Sequence, residues 1–218
     1  MDVREAVYAR RSIREFGPDP VADDVVRELL IDASRAPSGG NMQPWRIDVV
    51  NGSAMTRLRE YLPTQPQMEE PEYDVYPPSL WEPHRTLRYQ NAEQLYGLIG
   101  VPRDDKAGRR AQFARNDDFF GAPTVIFCFV DRGLGKPQWS DLGMFLQTFM
   151  LLATERGLAT CAQEYWALRH GAIHSFVGAP ADEMLFCAVC LGTPDPRAII
   201  NTLYTPRMPL EDWTRWVQ

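Results

Sequence analysis

Long apolar runs are missing from this chain of 218 residues. The longest, Pro123 to Val130 and Met184 to Gly192, fall far short of the ~20 residues that span a bilayer, so no membrane association is expected. Histidine is scarce. Only His84, His170 and His174 occur, and the four-residue spacing of the last two lacks the glutamate of an H-E-x-x-H frame, so packing or surface roles are expected rather than a metal site. Cysteine numbers four, with Cys187 and Cys190 forming half of a C-x-x-C pattern and no second pair at zinc spacing. Three apart on a strand, those two thiols leave opposite faces and, like Cys128, read as small buried hydrophobes. Basic residues are outnumbered, 23 Lys and Arg against 29 Asp and Glu, and a net charge of −6 excludes a sequence-independent nucleic-acid binder. No G-x-G-x-x-G follows a strand and there is no Walker loop, which excludes the common nucleotide-binding frames. A serine elbow and a carboxylate pair at acid–base spacing are also lacking. The opening residues carry acids and no apolar h-region, so no secretion signal is read and the cytoplasm is the expected compartment.

What is present suits one folded domain covering 1–218. Hydrophobic residues make up 44% and charged residues 24%, the usual balance of a globular protein with a sizeable core. Asp2 is placed to cap a short helix to about Tyr8. Asp23 is placed to start a second, with Val25, Val26, Leu29, Leu30 and Ala33 on one face and Pro37 as its limit. A strand is expected over Arg46 to Val50. The continuous β-rich run Pro123 to Val130 predicts a central strand covered on both faces. Beyond it Leu142, Phe145, Leu146, Phe149, Met150 and Ala153 form a wide apolar stripe on a helix whose N-cap is expected at Asp141 and whose end is expected at Gly157. Leu158 to Gln163 and Met184 to Leu191 read as strands, and Leu168 to Phe176 as a short helix. Residues 62–120, rich in proline and aromatics with no clean period, predict an irregular lid. The tail, 193–218, carries Leu210, Trp213 and Trp216, too apolar for a solvated end, and predicts an arm packed on a partner subunit.

Four dispersed segments have the composition of an anion-and-ring site. Arg10-Arg-Ser-Ile-Arg14 offers planar forks for phosphate oxygens and a hydroxyl that both donates and accepts. Taken alone, such a cluster is equally a solvated helix end at the favourable pole of the dipole. Pro37-Ser-Gly-Gly-Asn-Met-Gln-Pro-Trp45 combines glycines, which let backbone amides approach a ligand, with Pro44 pinning the exit. Gly157-Leu-Ala-Thr-Cys-Ala-Gln-Glu164 reads as a strand after a helix, and Tyr204-Thr-Pro-Arg-Met-Pro-Leu210 places one arginine between prolines.

Together these segments resemble the nitroreductase family nearly end to end. The 37–45 loop matches the family's Pro-Ser-x-x-Asn-x-Gln-Pro-Trp pattern at six of nine positions. The resemblance implies an α+β fold, a mainly antiparallel central sheet flanked by helices, and an intertwined homodimer with exchanged C-terminal arms. It implies FMN as cofactor and NADH or NADPH as transient hydride donor. Arg10, Arg11, Ser12, Arg14 and Arg207 would serve the phosphate and the pyrimidine edge of the ring. Pro37, Ser38, Gly39 and Asn41 would cross to the flavin of the other subunit, and Ala162, Gln163 and Glu164 would lie by N5. Tyr165 departs from relatives that carry glycine there. No protein nucleophile or base is expected beyond the flavin. The implied activity is ping-pong reduction of a small aromatic substrate, a nitroaromatic and in particular a nitrobenzoate-like compound. The same fold also serves reductive dehalogenation, enone or quinone reduction and flavin destruction, and a non-catalytic FMN carrier or sensor remains an alternative. Tyr89, Tyr96 and Trp139 are candidates for the pocket wall or for plain packing.

Overall fold

The computed structural model describes all 218 residues. Four antiparallel strands, β1 (Arg46–Asn51), β2 (Thr124–Asp131), β3 (Ala159–Gln163) and β4 (Glu183–Gly192), form one sheet in the order β1-β2-β4-β3. The central pair is buried on both faces, which is why β2 and β4 read as unbroken apolar runs. On one face Phe127, Phe129, Ala188 and Cys190 meet Met55 and Leu58 of α3 (Gly52–Tyr61) and Ile173 of α7 (His170–Val177). On the other, Ile126, Cys128, Cys187 and Val189 meet Val26, Leu29 and Ala33 of α2 (Asp23–Ala33) and the stripe of α6 (Lys136–Glu155). Cys187 and Cys190 thus serve opposite cores, and all four cysteines are free and buried. A bulge where Cys128 faces Cys187 but Phe129 faces Leu185 leaves Phe186 unpaired, and its carbonyl accepts the hydroxyl of Tyr73.

Helix α1 (Val3–Ala9) starts at Asp2 with a reciprocal capping box to Glu5. Helix α6 begins five residues before the expected Asp141. Gly135 is its N-cap, its N–H bonded 3.2 Å to the Gln138 side chain, and Pro137 fits the first turn, where its missing N–H costs nothing. Asp141 is buried inside the helix as a tertiary acceptor. The apolar stripe itself stands as expected, with Leu142, Phe145, Leu146, Phe149 and Ala153 buried, and Gly157 (φ +74°) turns the chain left-handed after the helix.

Residues 62–120 are more regular than their composition predicts. They contain α4 (His84–Leu98) and α5 (Lys106–Ala114), and neither helix buries a single residue. A helix whose residues are at most half-buried needs no wide apolar stripe, which is why these two do not stand out in the composition. The expected helix over Leu168 to Phe176 is split into a 3₁₀ segment (Glu164–Arg169) and α7. The tail after Gly192 holds only two short 3₁₀ turns and leaves Tyr204, Trp213, Trp216 and Val217 exposed. No helix is long and apolar enough to cross a membrane.

One buried charge ties residues 62–120 to the core. Arg169, 1% exposed, bonds Asp117 at 2.5 Å and the Leu62 carbonyl at 2.6 Å, while Tyr165 donates to the same carboxylate at 2.7 Å. Removing one partner of such a pair strands a buried charge, so Asp117→Ala is expected to cost about 3 kcal/mol in urea denaturation. Asp118→Ala, which breaks only the surface pair with Arg59, is expected to cost less than about 1 kcal/mol.

Candidate active site

The chain leaving α1 runs beside β3. Ile13 donates its N–H to Thr160 at 3.0 Å and Ser12 bridges Thr160 in parallel register, with Ile13 turned into the core and its half-buried neighbours Ser12 and Arg14 turned away. Asn201, buried and far along the chain, closes this segment from the other side. Its carbonyl oxygen accepts from the N–H groups of Arg14 (2.9 Å) and Glu15 (3.2 Å), and its amide donates to the carbonyls of Glu15 (2.8 Å) and Asp195 (3.1 Å). The C-terminal segment is thereby laid across the N-terminal one. Arg10, Arg11, Ser12, Arg14 and Arg207 line a single cavity of about 620 Å³, together with Asn91 of α4 and Gln147 of α6.

No carboxylate lines this cavity, and none of the four arginines takes part in an ion pair. The nearby Glu15 is engaged by Arg115. Burial, and then the facing charge of Arg207, push the Arg10 guanidinium below its ordinary pKa. A cavity that gathers cations and withholds their counter-charge is built for an anion.

The 37–45 loop stands apart from this cavity in the same chain. Ser38 accepts the Gln43 N–H at 3.0 Å, and buried Asp141 accepts the Gly39 N–H at 3.2 Å. Gly40 (φ +59°) takes a left-handed turn, and so do Asn41 (φ +57°) and Gln43 (φ +50°), which pay for that conformation without glycine's freedom. Residues 39–43 are nevertheless exposed, a rigid and strained surface with nothing of its own chain to cover it.

At the end of β3, Ala162 and Glu164 are open while Gln163 is 3% exposed. The Gln163 side chain points inward, donating to Asn116 (3.0 and 3.2 Å) and accepting from Trp166 and Cys190 (3.1 Å each), so only its main chain is left for a ligand. Burial raises the carboxyl of Glu164 above its usual range although part of the residue stays exposed. Tyr165, the departure from the family pattern, is held by Asp117. Trp139 packs against Tyr73 and Phe186, while Tyr96 lies under Arg109 and Tyr89 under Arg103. His170 faces Glu69 and Glu72, and its Nε2 lies 3.1 Å from the Glu70 carbonyl.

One chain therefore unites the N-terminal motif with Arg207, and the loop and the β3 end lie outside that cavity. The nitroreductase family model matches residues 7–193. The chain belongs to the nitroreductase family. It is 34% identical to the nitrobenzene nitroreductase of Ectopseudomonas oleovorans over 99% of this chain and 96% of that one. The identity to the 4-nitrobenzoate reductase of Pseudomonas putida is the same, 34%, over the same shares. The solved structure of the FMN and NADPH-dependent nitroreductase NfnB from Sphigopyxis sp. strain HMH superposes with a TM-score of 0.95 at 39% identity, covering 100% of both chains. The nitroreductase-like α+β fold and the oxidoreductase class expected from the motifs are thus borne out.

Sequence reasoning did not single out Asn201, Asn91 or Gln147. Gln147 alone left a trace, as a polar residue interrupting the apolar run of α6. Because the cavity gathers cations with no carboxylate among its lining residues, inorganic phosphate is expected to stabilise protein stripped of small ligands, by about 2.7 kcal/mol at a hundredfold excess over its dissociation constant. Thermal melts with and without phosphate check this, and the Arg10→Gln, Arg207→Gln double variant should lose the response.

Proposed function

We propose that this nitroreductase binds one FMN per subunit in the Arg10–Arg207 cavity and passes hydride from NADH or NADPH to nitroaromatic compounds, nitrobenzoate-like acids among them. The observation that carries the reading is the four-arginine cavity free of carboxylates, which fits a phosphate monoester. When bound, FMN supplies the two-electron chemistry. Arg10 and Arg207 would hold its phosphate. Ser12 and Arg14 would meet the pyrimidine edge of the ring, where the fixed charge of Arg14 favours the reduced, anionic form. Ala162, the Gln163 main chain and Glu164 would flank the opposite edge.

The loop Pro37, Ser38, Gly39 and Asn41 cannot serve the cavity of its own chain as placed, and we assign it to the flavin of a second subunit. The homodimer this requires also gives an occupant for the exposed Tyr204, Trp213, Trp216 and Val217, through an exchanged 193–218 arm. The domain is read as one unit over 1–218 with 62–120 as a lid. Four free thiols suit a reducing compartment, and we place the protein in the cytoplasm. The acceptor class rests on the names of relatives that are 34% identical over nearly their whole length.

The purified protein is expected to be yellow, to release FMN on heating, to sediment as a dimer and to give parallel double-reciprocal lines with NADPH and 4-nitrobenzoate. A colourless monomer that takes up no flavin would overturn the proposal. Hydrogen bonds to a charged group contribute about 1.5–3 kcal/mol. Arg207→Ala is therefore expected to weaken FMN affinity by roughly 10- to 100-fold. Its urea midpoint measured without flavin should match wild type, since Arg207 bonds only Thr205 and Pro206 beside it.

A further inference from the structure

A second basic cleft lies on the lid, outside the flavin cavity. It measures about 700 Å³ and is lined by Tyr76, Arg85, Arg88, Tyr89, Arg103 and Arg109 among others, with Glu93 as its one carboxylate. The charges in it are unequally committed. Arg109 bonds Glu93 at 2.8 Å, and Arg85 pairs with Glu82 at 2.6 Å, just outside the lining. Arg88 and Arg103 form no ion pair and no hydrogen bond. Each lies over an aromatic face instead, Arg88 at 4.2 Å from the Tyr76 ring centre and Arg103 at 5.3 Å from that of Tyr89. Stacking of this kind restrains a guanidinium while leaving its donors unspent.

The cleft adjoins the flavin cavity through one shared residue. Asn91 of α4 borders it, the flavin cavity and a third hollow of about 580 Å³ between α4 and the tail, and the last two also share Thr205 and Arg207. A long ligand with one end at the flavin can therefore reach the lid. Two restrained arginines suit a phosphate monoester, which carries close to two charges at neutral pH, better than a single carboxylate, which one fork satisfies. Of the two nicotinamide donors only NADPH carries such a group, on the ribose of its adenosine half.

We infer that Arg88 and Arg103 hold the 2′-phosphate of NADPH, so that the lid selects this donor over NADH. The inference rests on the proposed NAD(P)H-linked activity but is tested apart from it. Adenosine 2′,5′-bisphosphate and adenosine 5′-monophosphate are titrated calorimetrically into the purified holoenzyme. The bisphosphate is expected to bind at least about tenfold tighter, and the Arg88→Ala, Arg103→Ala double variant to erase the difference. In steady state the variant's KM should rise about tenfold more for NADPH than for NADH, with FMN content, read from its absorbance, at the wild-type level. Equal binding of the two nucleotides by wild type, or an undiminished preference in the variant, overturns the inference. So does a rise in KM confined to 4-nitrobenzoate, which would give the cleft to the acceptor's carboxylate. A colourless protein defeats the flavoenzyme reading, while the nucleotide titration still judges the cleft.

Discussion

Arg10 and Arg207 sit close enough for each to oppose the other's charge, and the fold holds them there. The device is the side-chain amide of Asn201. Three hydrogen bonds of 2.8 to 3.2 Å tie Asn201 to residues 14 and 15 and a fourth, 3.1 Å, ties it to the Asp195 carbonyl, so the segments bearing the two arginines are held together. Glu15, the carboxylate next to Arg14 in the chain, is paired with Arg115. The result is a positive potential concentrated in a protein whose net charge is −6. Global charge therefore says little about what this cavity attracts, because only the local field acts on a ligand inside it.

The fold was legible in the sequence wherever burial imposes a pattern. β2 and β4 lie between two layers of helices, so every position from Val125 to Val130 and from Met184 to Gly192 is apolar and the runs are continuous. The stripe of α6 is wide because that helix is pressed flat on the sheet. Legibility ended where burial ended. α4 and α5 have no fully buried residue and no wide apolar stripe, and were expected as irregular chain. The start of α6 was missed for a different reason: its cap is Gly135, which has no side chain to announce itself, while Asp141 has the chemistry of a cap but spends its carboxylate on the Gly39 N–H.

The same division runs through the site. The segments around Arg10, Pro37 and Arg207 were visible because anion recognition and left-handed turns call for particular residue types in short order. Gln163 illustrates the limit. Whether a strand residue looks outward or inward depends on partners such as Asn116 and Cys190, distant in the chain, which here hold the Gln163 side chain inside. Asn201 had no signal at all, since one asparagine among turn residues is unremarkable until its four partners are known.

These features also bear on the homodimer we propose. The 39–43 surface is costly to make, with two non-glycine residues in left-handed backbone and a buried carboxylate anchoring one of its amides, yet within the chain it touches no cavity that would use it. The tail shows the complementary imbalance, carrying indole rings into solvent where burial would stabilise them. A strained, exposed loop and an apolar, exposed arm on one molecule are each unfavourable alone. In the homodimer we propose, both would gain a purpose, because the arm would have a surface to cover and the loop a cavity to complete.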